Sequence, residues 1–211
     1  MTQPSSTALQ RRRVDIIPPV GAGQRIGLLG GSFNPPHEGH RHVAETAIRR
    51  LDLHQVWCLV TPGNPLKDTS GLASLENRVA ATRQVMRHPR IRVSAFEADA
   101  GLRYSIDTIR HLTSRRPAAR FVWVMGADSF VDFDRWRKWQ AIFEMLPVAI
   151  VDRPNSRHEP LRARAARRFE RFRLPEADCA RLPDLMPPAW VFLHGPLHWQ
   201  SSTILRKSRQ K

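Results

Sequence analysis

The sequence predicts an α/β fold, a mainly parallel sheet of about six strands with helices packed on it, and three observations lead there. From Arg25 onward, short apolar runs alternate with stretches of helical periodicity, the pattern of consecutive βα units. The chain has 211 residues, 41% apolar and 25% charged, which suits one globular domain with a substantial core. It shows no internal repeat, and no apolar run approaches the roughly eighteen residues of a membrane span.

Taken in order, residues 1–24 carry three prolines, two glycines and the Arg11 to Arg13 triplet. They read as a mobile tail, leaving 25–211 as a single domain. Here Gly21-x-Gly23-x-x-x-Gly27 imitates a dinucleotide fingerprint, but its glycines precede the first strand and the spacing is one residue too long. Candidate strands are Arg25 to Gly30, Gln55 to Thr61, Ile91 to Ala95, Arg120 to Met125, Pro147 to Val151 and Trp190 to Leu193. Between the first two, Val43, Ala44, Ala47, Ile48 and Leu51 recur at helical spacing, so a helix starting near Gly39 turns that stripe onto the sheet. Other helices are expected at Leu75 to Arg87, Ser105 to Ser114 and Arg135 to Met145. From Glu159 to Arg173, the stripe Leu161, Ala165, Phe169 and Phe172 predicts a sheet-covering helix whose arginines form a solvated basic face, with nucleic-acid or membrane contact as the alternative.

The balance of 34 Lys+Arg against 19 Asp+Glu gives a net charge of +15, which favours anionic partners without choosing among them. The arginines are spread along the chain instead of forming one tract, which describes a basic surface better than a nucleic-acid groove. Cys58 and Cys179 form no C-x-x-C pair and read as buried thiols in a reducing compartment. With no apolar leader in the first twenty residues, a cytoplasmic protein is expected.

The chemistry concentrates in Gly30-Gly31-Ser32-Phe33-Asn34-Pro35-Pro36-His37-Glu38-Gly39-His40. A strand runs into two glycines, a proline-closed turn and then a helix. The glycines are expected to let a ligand approach the backbone closely. The helix start offers unpaired N–H groups and a positive dipole end. His37 and His40, three apart on one face, can donate to the same anion. The pattern describes a triphosphate cradle without a Walker lysine. A zinc protease needs H-E-x-x-H, one residue longer than His37 to His40. A site built from His37, His40 and His42 would leave the glycines unexplained. A glycine turn with capping histidines remains the purely structural alternative.

This segment resembles the signature of the nucleotidyltransferases whose H-x-G-H motif binds ATP. Within that superfamily the chain most resembles the bacterial nicotinate mononucleotide adenylyltransferases, enzymes of NAD biosynthesis, with motifs in order across 26–206. The resemblance implies a Rossmann-like three-layer sandwich. It also implies that ATP is bound by Gly30, Gly31, Ser32, Phe33, Gly39, Gly126, Asp128, Ser201, Ser202 and Thr203. Lys67, in Thr61-Pro62-Gly63-Asn64-Pro65-Leu66-Lys67, matches the family's phosphate-binding lysine at a strand's C-terminal edge, although a solvated loop lysine would read the same. Arg206 in Ser201-Ser202-Thr203-Ile204-Leu205-Arg206 matches its phosphate clamp. With His37 and His40 these make the catalytic set.

The nicotinate side is implied to comprise Asn34, Tyr104, Ser105, Trp136 and Arg153. Ser105 could equally cap its helix, Trp136 could be core, and Arg153 a surface ion pair. Arg137 departs from the aromatic residue that relatives often carry there.

The implied reaction is adenylyl transfer from Mg·ATP to nicotinate mononucleotide, giving nicotinate adenine dinucleotide and pyrophosphate. Mg²⁺ would be carried by the ATP phosphates, with no protein metal site. A homo-oligomer is compatible with the sequence. The alternatives are a pantetheine-phosphate or glycerol-phosphate nucleotidyltransferase, or a non-catalytic nucleic-acid-binding protein.

Overall fold

Apolar runs rich in valine, isoleucine and aromatic residues become strands here because both faces of the sheet are covered. The computed structural model describes residues 17–63, 71–152 and 159–195. The strands are β1 (Arg25–Gly31), β2 (Gln55–Val60), β3 (Ile91–Ser94), β4 (Arg120–Gly126), β5 (Val148–Val151) and β6 (Trp190–Leu193). They form one six-stranded sheet, parallel throughout, in the order β3-β2-β1-β4-β5-β6. The helices are α1 (Glu38–Arg50), α2 (Leu75–Val85), α3 (Phe96–Asp99), α4 (Ser105–Arg115), α5 (Ala127–Val131), α6 (Trp139–Met145), α7 (Glu159–Arg162) and α8 (Arg164–Arg168). Among the described residues no helix is long and apolar enough to cross a membrane.

Alternation along each strand divides the core in two. Leu28, Trp57, Trp123, Ile150 and Phe192 face one side, where α4 and α6 add Ile109 and Phe143. Leu29, Cys58, Val124, Ala149 and Val191 face the other, where α1 and α2 add Val43, Ala47, Ile48 and Val79. The first face is rich in rings and the second in small aliphatic groups. The helical stripe of Val43, Ala44, Ala47 and Ile48 thus lands on the sheet as its spacing requires. Strand order reverses between β1 and β4, and in open parallel sheets ligands sit at the carboxyl ends of such a pair.

Several expectations need correcting. The span 135–145 is not one helix. A 3-10 turn, Phe133–Arg135, is followed by an extended Trp136 and a left-handed Lys138 (φ 52°), and α6 starts only at Trp139. That break lets the rings of Phe133, Trp136 and Trp139 pack together, at 5.1 and 6.3 Å from Phe133. The span 159–173 is likewise α7, α8 and a 3-10 turn, Glu170–Phe172. Its apolar stripe still meets the core, but the Trp190 indole donates to the Phe169 carbonyl at 2.8 Å. The Arg173 N–H bonds the Glu170 carbonyl instead, which tightens the end of the segment. Residues 17–24 are not loose: Ile17 and Val20 pack on the ring-rich core, and the Gly23 N–H donates to the Ala118 carbonyl at 2.7 Å. A 3-10 run at Glu176–Asp184, not anticipated, buries Cys179 and Leu182 against the aliphatic face.

Candidate active site

At the carboxyl end of β1 the chain turns through Ser32 to Pro36 into α1, and His37 is the N-cap of that helix. His37 is buried, and its Nδ1 accepts the Gly39 N–H at 3.1 Å. The His40 Nδ1 accepts the His37 N–H at 3.2 Å, closing a reciprocal capping box. A ring nitrogen that accepts a backbone N–H carries no hydrogen. In the neutral rings the hydrogen of each imidazole therefore resides on Nε2. The two rings lie 3.9 Å apart between centroids, and Phe33 supports His40 from 4.9 Å. The capping alternative for this motif is thus realised, through the two Nδ1 atoms.

The glycines before it also meet a packing constraint. A Cβ on Gly30 would lie 3.0 Å from Cη2 of Trp123, and one on Gly31 would lie 3.2 Å from Cε2 of Phe33. The space beside both is filled by the protein's own rings. Phe33 adopts φ 46° with its side chain almost fully buried, so any ligand contact there runs through its backbone. Asn34, expected at the substrate, instead bridges loops: Nδ2 donates to the Gly71 carbonyl at 3.0 Å and Oδ1 accepts the Ala73 N–H at 3.4 Å. Gly39 is buried in the first turn of α1.

Sequence reasoning missed Arg78, on α2. Its side chain is buried, and its guanidinium donates to the carbonyls of Ser32, Thr61, Pro62 and Ala73 at 2.8, 2.7, 3.1 and 2.9 Å. Burial holds its pKa below the ordinary arginine value.

Across the order reversal, β4 ends in the buried Gly126, which caps α5, and Asp128 stands exposed in the first turn of that helix. Trp136 is half-buried, edge-on to Trp123 at 6.3 Å. Trp123 therefore touches both the Gly30 edge and the Trp136 wall. Tyr104, not Ser105, is the N-cap of α4, and it makes no side-chain cap bond. The Tyr104 carbonyl instead takes the N–H groups of Asp107 and Thr108. Ser105 is the first helical residue, partly buried. The Arg137 guanidinium lies 4.5 Å over the Tyr104 ring, a cation–π contact that joins the two loops. Beneath them Glu97 is buried, accepts the Thr108 hydroxyl at 2.6 Å, and has its carboxyl pushed up to about 7 by burial, with the Thr108 bond opposing. Burial likewise pushes the Cys58 thiol up.

Lys67, Arg153, Ser201, Ser202, Thr203 and Arg206 lie outside the described residues. What leads to two of their segments is visible. Asp152, before Arg153, is buried just past β5. After β6, a Cβ on Gly195 would lie 3.6 Å from Nε2 of His42, so the chain leaves the sheet alongside α1. Among the described residues, no group of three or more His, Cys, Asp or Glu is placed to hold a metal ion.

A two-imidazole helix start thus stands where the parallel sheet reverses order between β1 and β4, the ligand edge of such sheets. The cytidylyltransferase-like family matches residues 28–208. A probable nicotinate-nucleotide adenylyltransferase of Bradyrhizobium sp. (strain BTAi1) is 54% identical over 182 residues, covering 86% of this chain and 95% of its own. Its counterpart in Agrobacterium fabrum is 49% identical over 185 residues, covering 88% and 99%. The solved Plasmodium falciparum nicotinic acid mononucleotide adenylyltransferase complexed with NaAD shares the fold, with a TM-score of 0.64 at 16% identity over 87% of this chain and 83% of that one. The chain belongs to the cytidylyltransferase-like family and, within it, to the nicotinate-nucleotide adenylyltransferases.

Proposed function

We propose that this protein transfers the adenylyl group of Mg·ATP to the 5′-phosphate of nicotinate mononucleotide, releasing pyrophosphate and forming nicotinate adenine dinucleotide for NAD biosynthesis. The observation that carries the reading is the pair of Nδ1-anchored imidazoles at the start of α1. A phosphate monoester is already an anion at neutral pH, with a second pKa near 6, so its attack on the α-phosphorus needs no general base. The P–O bond to the new phosphate forms as the bond to pyrophosphate breaks. Catalysis then rests on aligning two anions and on donors for the charge that grows on the leaving group.

His37 and His40 supply such donors through Nε2, and Lys67 and Arg206 add cations. Gly30, Gly31, Ser32, Phe33, Gly39 and Gly126 shape the ATP side, which Ser201, Ser202 and Thr203 close. Asp128 receives a ribose hydroxyl. Tyr104, Ser105 and Trp136 flank the pyridine ring, Asn34 orders the neighbouring loop, and Arg153 completes the mononucleotide side. The charge of Arg137 beside Tyr104 suits a pyridine carboxylate better than an amide. Mg²⁺ enters with the ATP phosphates and neutralises part of their charge. The reducing, ATP-supplied cytoplasm suits the buried free thiols Cys58 and Cys179.

The direct test is incubation of the purified protein with Mg·ATP and either the acid or the amide mononucleotide, with products identified by mass. Nicotinate adenine dinucleotide and pyrophosphate are expected, with the acid preferred. Absence of any dinucleotide would overturn the reading.

A further inference from the structure

We propose that Arg78 is a positioning residue for this reaction: it locks the loop after β1 to the loop after β2, so that the two present a single preset surface to the phosphates. The inference rests on the adenylyltransfer reading for its functional part and on geometry alone for its structural part.

Arg78 is only 2% exposed, and among the described residues it forms no ion pair with a carboxylate. Burying a guanidinium without a counter-ion is costly, and an apolar side chain of similar volume would fill the space without that cost. What the guanidinium adds is a planar fork of donors. Nη1 takes the carbonyls of both Ser32 and Thr61, Nη2 that of Pro62, and Nε that of Ala73. One side chain thus spans the turn after β1, the turn after β2 and the entry to α2. Lysine, with a single ammonium, cannot reproduce that spread.

Peptide planarity carries the effect onward. In a trans peptide the carbonyl and the following N–H point in opposite directions. Holding the Ser32 and Pro62 carbonyls toward Arg78 therefore aims the Phe33 and Gly63 N–H groups away from it. Phe33 is also the residue at φ 46°, a conformation that the surroundings must hold in place. Asn34 adds a second latch between the same loops through Gly71 and Ala73. With four of its five N–H groups bonded to these carbonyls and its side chain buried, Arg78 acts through these loops and not by touching substrate.

The test compares Arg78→Lys and Arg78→Met with the parent in steady-state kinetics, thermal melting and amide hydrogen exchange. Both variants are expected to stay folded. Their kcat should fall about tenfold to hundredfold, as sub-ångström to ångström misplacement of reacting groups produces, and peptides covering 31–36 and 61–63 should exchange faster while β4 and β5 peptides stay protected. Methylguanidinium should restore part of the activity of Arg78→Ala, and ethylammonium should not. A folded Arg78→Lys with parental kcat and parental exchange in both loops overturns the proposal. So does activity lost only in proportion to unfolded protein, with no guanidinium rescue. If the parent itself makes no dinucleotide, the adenylyltransfer reading fails, while the exchange comparison still decides whether Arg78 locks the loops.

Discussion

The His40 ring accepts the His37 N–H through Nδ1, so replacing it removes a cap together with the proposed ligand donor. His40→Ala should lower kcat about hundredfold, the loss typical of one preorganised donor, while the missing cap costs about 1 kcal/mol of stability. Kinetics and melting on the same preparation separate the two; parental turnover would remove His40 from the catalytic set. Glu97 makes a different kind of prediction. An acid whose folded pKa is raised keeps its proton longer in the native state, so stability falls as pH rises from the ordinary value of 4.5 to about 7, and levels off above. At about 1.4 kcal/mol per unit the decline is on the order of 3 kcal/mol. Glu97→Gln retains an acceptor for Thr108 and should flatten the melting profile between pH 5 and 8; parallel profiles for parent and variant would show that Glu97 does not titrate there. The histidines were legible in the sequence because their spacing alone places both rings at one helix start. Arg78 was not, since nothing local separates it from the other arginines: its partners lie 5, 16, 17 and 46 residues away.

Among the elements, the strands were readable to within a residue or two because burial on both faces leaves no alternative to an apolar run. α1 was readable because its stripe has one destination. The break at Trp136 to Lys138 was not, because three rings competing for one pocket, rather than helix propensity, decide the backbone there. The two glycines closing β1 show the same limit. Their presence was legible, yet their close packing against Trp123 and Phe33 was not. Gly30→Ala should therefore force the Trp123 indole to move and destabilise the protein by about 1–3 kcal/mol, the usual range for overpacking. A melting temperature equal to the parent's would show that the indole yields freely.

For the whole molecule, the net charge of +15 bears on encounter more than on shape. Both substrates are polyanions, and screening shortens the reach of the field to about 8 Å near physiological salt. Raising KCl should therefore raise KM for ATP and for the mononucleotide while leaving kcat nearly constant; a KM indifferent to salt would confine the charge to solubility. A local acidic device sits within this basic envelope. Glu176 holds Arg50 at 2.8 Å and His194 at 2.6 Å, tying the end of α1 to the exit of β6. Burial alone would raise its pKa, but the two partners outweigh that and hold it below the ordinary value. Its contribution is thus complete above that ordinary value and fades in acid as the carboxyl gains its proton.

The indole of Trp123 rests under Gly30 and edge-on to Trp136, so it links the two sides of the proposed site. A chromophore in that position equips the enzyme with an internal optical label. Arrival of either nucleotide at the proposed site should alter the polarity around one side of the indole pair, and titration followed by native emission would show it.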